Sequence, residues 1–215
     1  MDIRKLTTIL CLIAAVCVSG LRAQTKPGSS SEPQATIDTT AGKITCTLFP
    51  AQAPNSVANF IGLAQGTKDW TDPRTRTKKH GVPLYDETIF HRVIPGFMIQ
   101  GGDPTGTGMG DAGYGFGLEV TPALKFDRPG RLAYARTSDP NTNSAQFFIT
   151  AAPYPSLDMQ YTIFGQCGDQ DVVQKIINAP RGANDRPVNP VKINHITITN
   201  FAPLAAKPSS QTKPR

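Results

Sequence analysis

No CxxC pair occurs in these 215 residues, and the three histidines, His80, His91 and His195, lack metal-ligand spacing. A zinc or redox centre is therefore not expected, and no cofactor is called for. No G-x-S-x-G is present either, which removes the turn on which many hydrolases display a nucleophilic serine. The longest apolar run falls short of the roughly 20 residues a membrane span needs. No internal repeat is found, so a stacked-repeat architecture is excluded. What remains is ordinary for a soluble domain: 39% of the residues are hydrophobic and 18% charged, enough for one full core. Glycine and proline, 19 of each, favour many turns and short strands over a helical bundle.

The first 23 residues read as a secretory signal. Arg4 and Lys5 precede the apolar run "LTTILCLIAAVCVSG", and "LRAQ" follows. A basic start, a short apolar stretch and a small residue at the cut are the parts such a signal needs. Cleavage is expected after Ala23, leaving no stable membrane span. The alternatives are an uncleaved anchor and a lipoprotein attached at Cys17, the latter disfavoured by the bulky Val16. Cleavage removes three basic residues and one acidic one, so the net charge falls from +6 to +4. That is mild. The cluster Arg74, Arg76, Lys78 and Lys79 reads as a solvated loop, and nucleic acid is not an expected partner. Cys11 and Cys17 leave with the signal. Cys46 and Cys167 remain, read as two buried free thiols, with a single disulfide as the alternative that an oxidising compartment permits.

Residues 24–34 form a polar Pro/Ser linker and 203–215 a similar tail, both with nothing to bury. One domain is expected between them, at 35–202. "ATIDTTAGKITCTLF" reads as two strands about Ala41-Gly42. "PNSVANFIGLAQG" reads as a helix, with Pro54 near its start, Gly66 beyond its end and a stripe of Val57, Phe60, Ile61 and Ala64. A polar loop spans 67–83. Strands follow in "TIFHRVI", "FMIQGG", "GRLAYAR", "AQFFITAA" and "YTIFGQC". A second helix is capped by Asp169, with Val172, Val173, Ile176 and Ile177 inward. The last strand, "VKINHITI", slips its apolar parity near His195, which predicts a bulge. About eight strands and two helices point to a mainly β fold, a closed eight-stranded antiparallel β-barrel capped by two α-helices.

"GMGDAG" (108–113) matches G-x-G-x-x-G, but no helical period follows it, so the glycines are read as folding a surface loop. His91 neighbours Arg92, and adjacent strand residues point to opposite faces. If Arg92 faces a site, His91 faces away. Arg92 itself is out of place in an apolar strand unless something uses it.

Four blocks in order carry a resemblance: "YDETIFHRVIPGFMIQGGDPTGTG" (85–108), "GRLAYAR" (130–136), "PNTNSAQFFIT" (140–150) and "LDMQYTIFG" (157–165). Together they resemble the cyclophilin family of peptidyl-prolyl cis/trans isomerases, in a bacterial exported form, over nearly all of 35–202. The resemblance implies Arg92 as the catalytic arginine and a proline pocket of Phe97, Met98, Phe148 and Leu157. It implies Gln100 and Gln146 as polar groove residues, and Ala135 and Arg136 as a backbone segment that pairs with substrate. Tyr161 falls where many eukaryotic members have His, and Arg136 where they have Asn. Ser156 stands in place of a tryptophan many of them use to hold cyclosporin, so weak cyclosporin binding is expected. The implied protein is a monomeric, periplasmic or secreted isomerase acting on proline-containing polypeptides of exported proteins and assisting their folding. The alternative is a chaperone or scaffold module that binds proline segments with incidental turnover.

Overall fold

A computed structural model describes residues 32–201. The expected signal at 1–23, the linker up to residue 31 and the tail at 203–215 lie outside the described residues. Gln34, expected to end the linker, already pairs in the first strand.

Strands β1 (Gln34–Thr39) and β2 (Gly42–Leu48) form the expected hairpin. Their alternation buries Ala35, Ile37, Ile44, Cys46 and Leu48. Helix α1 (Pro54–Gln65) opens on proline and closes at Gly66 in a left-handed conformation (φ 69°). Its stripe of Val57, Phe60, Ile61 and Ala64 is buried as expected. No local side chain caps this helix. Glu119 does so from a distant loop, its carboxylate accepting from the Asn55 and Ser56 amides at 3.0 and 2.7 Å, where unpaired N–H groups and the helix dipole favour an anion. The polar loop at 67–83 contains a small ribbon, β3 (Trp70–Thr71) with β4 (Lys78–Lys79). Trp70 turns inward and donates to the Val82 carbonyl at 2.8 Å.

The remaining strands are β5 (Arg92–Ile94), β6 (Met98–Gly101), β7 (Arg131–Tyr134), β8 (Phe147–Thr150) and β9 (Ile163–Cys167). Helix α2 (Gln170–Ile177) and β10 (Ile193–Thr199) complete the chain. Asp169 stands just before α2, but its carboxylate accepts from the Thr45 amide at 2.7 Å instead of capping the helix. The predicted bulge is present: the β1–β10 register shifts between Asp38, opposite His195, and Thr39, opposite Ile193.

The expected closed barrel is corrected. The eight-stranded sheet runs β10-β1-β2-β9-β7-β8-β6-β5 and is open, with β10 and β5 as its two edges. The backbone ahead of β5 meets β10 and the residues just before it through isolated hydrogen bonds: Glu87 N–H to Ile193 O, Ile193 N–H to Thr88 O, and Phe90 N–H to Val191 O, at 2.7–3.0 Å. Two local features keep them from growing into a ladder. Glu87 is left-handed (φ 65°), which breaks the extended run, and Pro190 just ahead of β10 has no N–H to donate.

The free-thiol reading is also corrected. Cys46 lies directly opposite Cys167 in the β2–β9 register, and the two form a disulfide. Strand register brings these sulfurs together, and register is not visible in cysteine spacing alone.

Alternation then sorts side chains onto two faces of the sheet. Ile99, Leu132, Tyr134, Phe147 and Ile149 enter the main core with both helices. Met98, Ala133 and Phe148 point the other way, into a second apolar cluster with Phe126 and Ile163.

Candidate active site

The second cluster forms the floor of a groove. Its cavity, about 180 Å³, is lined by Arg92, Phe97, Met98, Gln100, Ala135, Arg136, Phe148, Leu157 and Tyr161. Sites that engulf whole small molecules typically run to about 300–1,000 Å³. A cavity this small suits one side chain of a polypeptide that otherwise stays outside. Nine of the ten expected site residues therefore meet around one space. The tenth, Gln146, lines an adjoining cavity of about 260 Å³ that shares Gln100, Ala135 and Arg136.

The apolar walls are held by aromatic contacts. Phe148 stacks on Phe126 at 6.0 Å and meets Tyr161 edge-on at 5.7 Å. Phe97, half-buried, lies 4.3 Å from the Tyr154 ring. The hairpin from β5 to β6 carries Arg92 directly opposite Gln100, which puts both on the groove side. The Arg92 side chain is 44% exposed, so it stands at the wet edge and not in the core.

A chain of amides orients that cation. Arg92 Nη1 donates to Gln100 Oε1 at 3.4 Å, and Gln100 Nε2 donates to Gln146 Oε1 at 2.9 Å. Gln146 Nε2 donates to the carbonyls of Gly108 and Gly110 at 3.0 and 2.8 Å. Because the last acceptors are backbone carbonyls, both amides have only one consistent orientation. The Gly108–Gly110 segment is fixed in turn by Asp103, fully buried. Asp103 Oδ2 accepts from the Gly108 and Gly110 amides, and Oδ1 from the Thr105 amide. Burial alone would raise the Asp103 carboxyl, but the Thr105, Gly110 and Gly108 hydrogen bonds outweigh it and hold its pKa below the ordinary value. The G-x-G-x-x-G match thus folds back as a loop, as read from sequence. A Cβ at Gly110 would lie 2.0 Å from Asp103 Oδ1.

On its other side Arg92 Nε lies 3.9 Å from Asp185 Oδ2, and Arg181 Nε lies 3.5 Å from Asp185 Oδ1. Asp185 belongs to a short 3₁₀ turn at 183–185 in which Asn184 and Asp185 are both left-handed (φ 59° and 57°). Sequence reasoning missed Asp185, whose irregular loop has no periodicity, and it missed Asp103, although the quoted "GGDP" contains it. His91 turns inward, as parity predicts. It is only 5% exposed, neither ring nitrogen has a partner among the described residues, and burial lowers its pKa.

An open antiparallel sheet carrying an apolar pocket the size of one side chain, with a fixed guanidinium beside it, is the arrangement of a protein that takes up a polypeptide segment. Residues 34–198 match the family model described as cyclophilin type peptidyl-prolyl cis-trans isomerase/CLD. Peptidyl-prolyl cis-trans isomerase A of Mycobacterium tuberculosis is 51% identical over 168 residues, covering 77% of this chain and 91% of that protein. Peptidyl-prolyl cis-trans isomerase B of Streptomyces anulatus is 44% identical, covering 76% and 95%. A crystal structure of a Cryptosporidium parvum cyclophilin type isomerase, determined in the presence of the dipeptide Ala-Pro, superposes with a TM-score of 0.67 at 37% identity, covering 77% of this chain and 98% of that one. The chain belongs to the cyclophilin-type peptidyl-prolyl cis-trans isomerase family and is an enzyme of that class.

Proposed function

We propose that the groove binds proline-containing segments of exported proteins and accelerates rotation about their X-Pro bonds, with Arg92 as the catalytic residue. The observation that carries this reading is the placement of a braced guanidinium at the rim of an apolar pocket sized for one side chain. Amide resonance sets a barrier of about 18–20 kcal/mol to this rotation. In the twisted state resonance is lost, the prolyl nitrogen becomes pyramidal and it gains a lone pair. A donor aimed at that nitrogen stabilises the twisted state more than either planar one, which is the condition for catalysis. Arginine suits the task because it stays charged and presents its donors in a rigid fork. Phe97, Met98, Phe148 and Leu157 would grip the pyrrolidine ring while the preceding residue turns. Gln100, tied to Gln146, keeps the guanidinium from swinging away.

A proline-peptide isomerisation assay tests the reading. Arg92→Ala is expected to lower kcat/KM by about two to three orders of magnitude with the circular dichroism spectrum unchanged. A variant that turns over peptide at the wild-type rate would remove Arg92 from the mechanism.

Two finer points accompany the reading. Export, to the periplasm or beyond, is supported by the 1–23 sequence pattern and by the Cys46–Cys167 disulfide, since such bonds persist in oxidising compartments. Among the described residues no helix is long and apolar enough to cross a membrane. Weak cyclosporin binding follows from Ser156, exposed beside Leu157, where a large aromatic ring would otherwise extend the apolar wall. Calorimetry is expected to give a dissociation constant well above nanomolar, and a nanomolar value would refute it.

A further inference from the structure

We propose that Arg136 selects substrates, favouring proline segments that carry Glu or Asp within two residues of the proline. This deepens, and rests on, the isomerase reading above. Arg136 is the one charged side chain shared by the proline-pocket cavity and the adjoining 260 Å³ cavity. A polypeptide with its proline ring in the first cavity and its flanking residues over the second passes beside this guanidinium.

The geometry of Arg136 is unusual for a groove cation in that every partner is neutral. Its Nε donates to the Gln160 carbonyl at 2.9 Å, and Nη1 donates to the Thr137 and Ser138 carbonyls at 2.7 and 3.3 Å. The guanidinium also lies 4.8 Å over the Tyr161 ring. Among the described residues no carboxylate comes within ion-pair distance of it, and its Nη2 amine has no protein acceptor. Arg92 differs, with Asp185 at 3.9 Å. The one carboxylate among the described residues that line the second cavity, Asp111, instead accepts from the Gly113 amide at 2.6 Å.

Three carbonyls and a ring thus hold the charge in one place without compensating it. An ordinary surface arginine loses rotamer freedom when it meets an anion, and that cost erodes most of the gain. Arg136 is already held by these contacts, which leave its Nη2 donors to meet a carboxylate oxygen. The same fixed charge opposes a lysine at the same place, so discrimination comes from repulsion as well as attraction.

The test is a series of short Ala-Pro peptides bearing Glu, Gln or Lys at each of the two positions on either side of proline. Isomerisation is followed by exchange NMR without a coupling protease. At low salt, Glu is expected to exceed Lys in kcat/KM by about fivefold at one position or more, and the ratio is expected to shrink at 0.5 M NaCl. In Arg136→Gln the Glu/Lys ratio is expected to fall to about one, whatever the variant's basal rate. In Arg136→Lys part of it is expected to remain. If Arg136 only braces the 137–142 turn, wild type shows no charge preference at any position, and the proposal fails. If Arg136→Gln folds poorly, Arg136→Lys carries the comparison, and a wild type without a salt-sensitive preference sinks the proposal with neither variant. The uncharged parent peptide separates the two levels: no acceleration of it overturns the isomerase reading, whereas acceleration without charge preference overturns only this one.

Discussion

Arg92 and Arg136 face one groove but are anchored by opposite means. Arg92 is oriented by an amide relay and neighbours a carboxylate, Asp185, whereas Arg136 is held by three neutral carbonyls and the Tyr161 ring. His91, next to Arg92, shows what strand parity costs. Its ring is buried with both nitrogens unpartnered, and burial, the largest influence, lowers its pKa from the ordinary 6.5. The unfolded chain therefore takes up a proton as pH falls below about 6.5, while the folded protein resists it until its own lower pKa is reached. Stability is thus lost as pH drops through that window, at a rate of at most about 1.4 kcal/mol per pH unit. Urea midpoints of wild type and His91→Gln at pH 7.5 and 5.5 check this. The variant is expected to lose less stability between the two pH values, and parallel losses would show that His91 does not titrate there.

At the scale of elements, the loop from Asp103 to Gly110 is the support on which the amide relay ends. Asp103 gathers its backbone amides, and Gly110 leaves room for that carboxylate. Gly110→Ala is expected to cost about 1–3 kcal/mol of stability and to raise KM for peptide, because Gln146 loses its carbonyl acceptors. A thermal melt and a KM measurement check the two halves. An unchanged KM would detach the loop from the groove. Both helices, the β1–β2 hairpin and the bulge near His195 were legible because each rests on local pattern: apolar stripes, flanking proline and glycine, a slip in parity. Strands buried on both faces were harder. Phe147 and Phe148 are both buried, and only the paired geometry assigns one to the main core and the other to the pocket floor. The remote cap of α1 by Glu119 had no local signal at all, since the capping residue lies 63 residues from Ser56.

For the whole molecule, what the sequence could not display was register and closure. The disulfide depends on Cys46 lying opposite Cys167, and the openness of the sheet depends on two edge strands failing to meet. The grouping of the candidate site residues was more readable than the architecture, because they fall in a few contiguous blocks while closure depends on distant strand ends. On the export proposed above, protein recovered from the extracytoplasmic fraction is expected to begin at Gln24 and to resist thiol alkylation until reduced. With the two cysteines 121 positions apart in the chain, reduction is expected to lower stability by about 2–4 kcal/mol, read as a shift in the urea midpoint. Free thiols at Cys46 and Cys167 in the isolated native protein would contradict both the bond and the compartment it supports.

The pairing of Gln34 with Thr199 sets a timetable for folding. β1 is made before every other described strand, yet one of its two neighbours is β10, which arrives more than 150 residues later. Until then one side of β1 has unpaired amides and carbonyls, an invitation to pair with another chain. Such long-range closure also slows folding. An enzyme class that speeds the maturation of other polypeptides is thus itself a late finisher: a chain halted before Ile193 keeps its groove residues but leaves an unfinished edge.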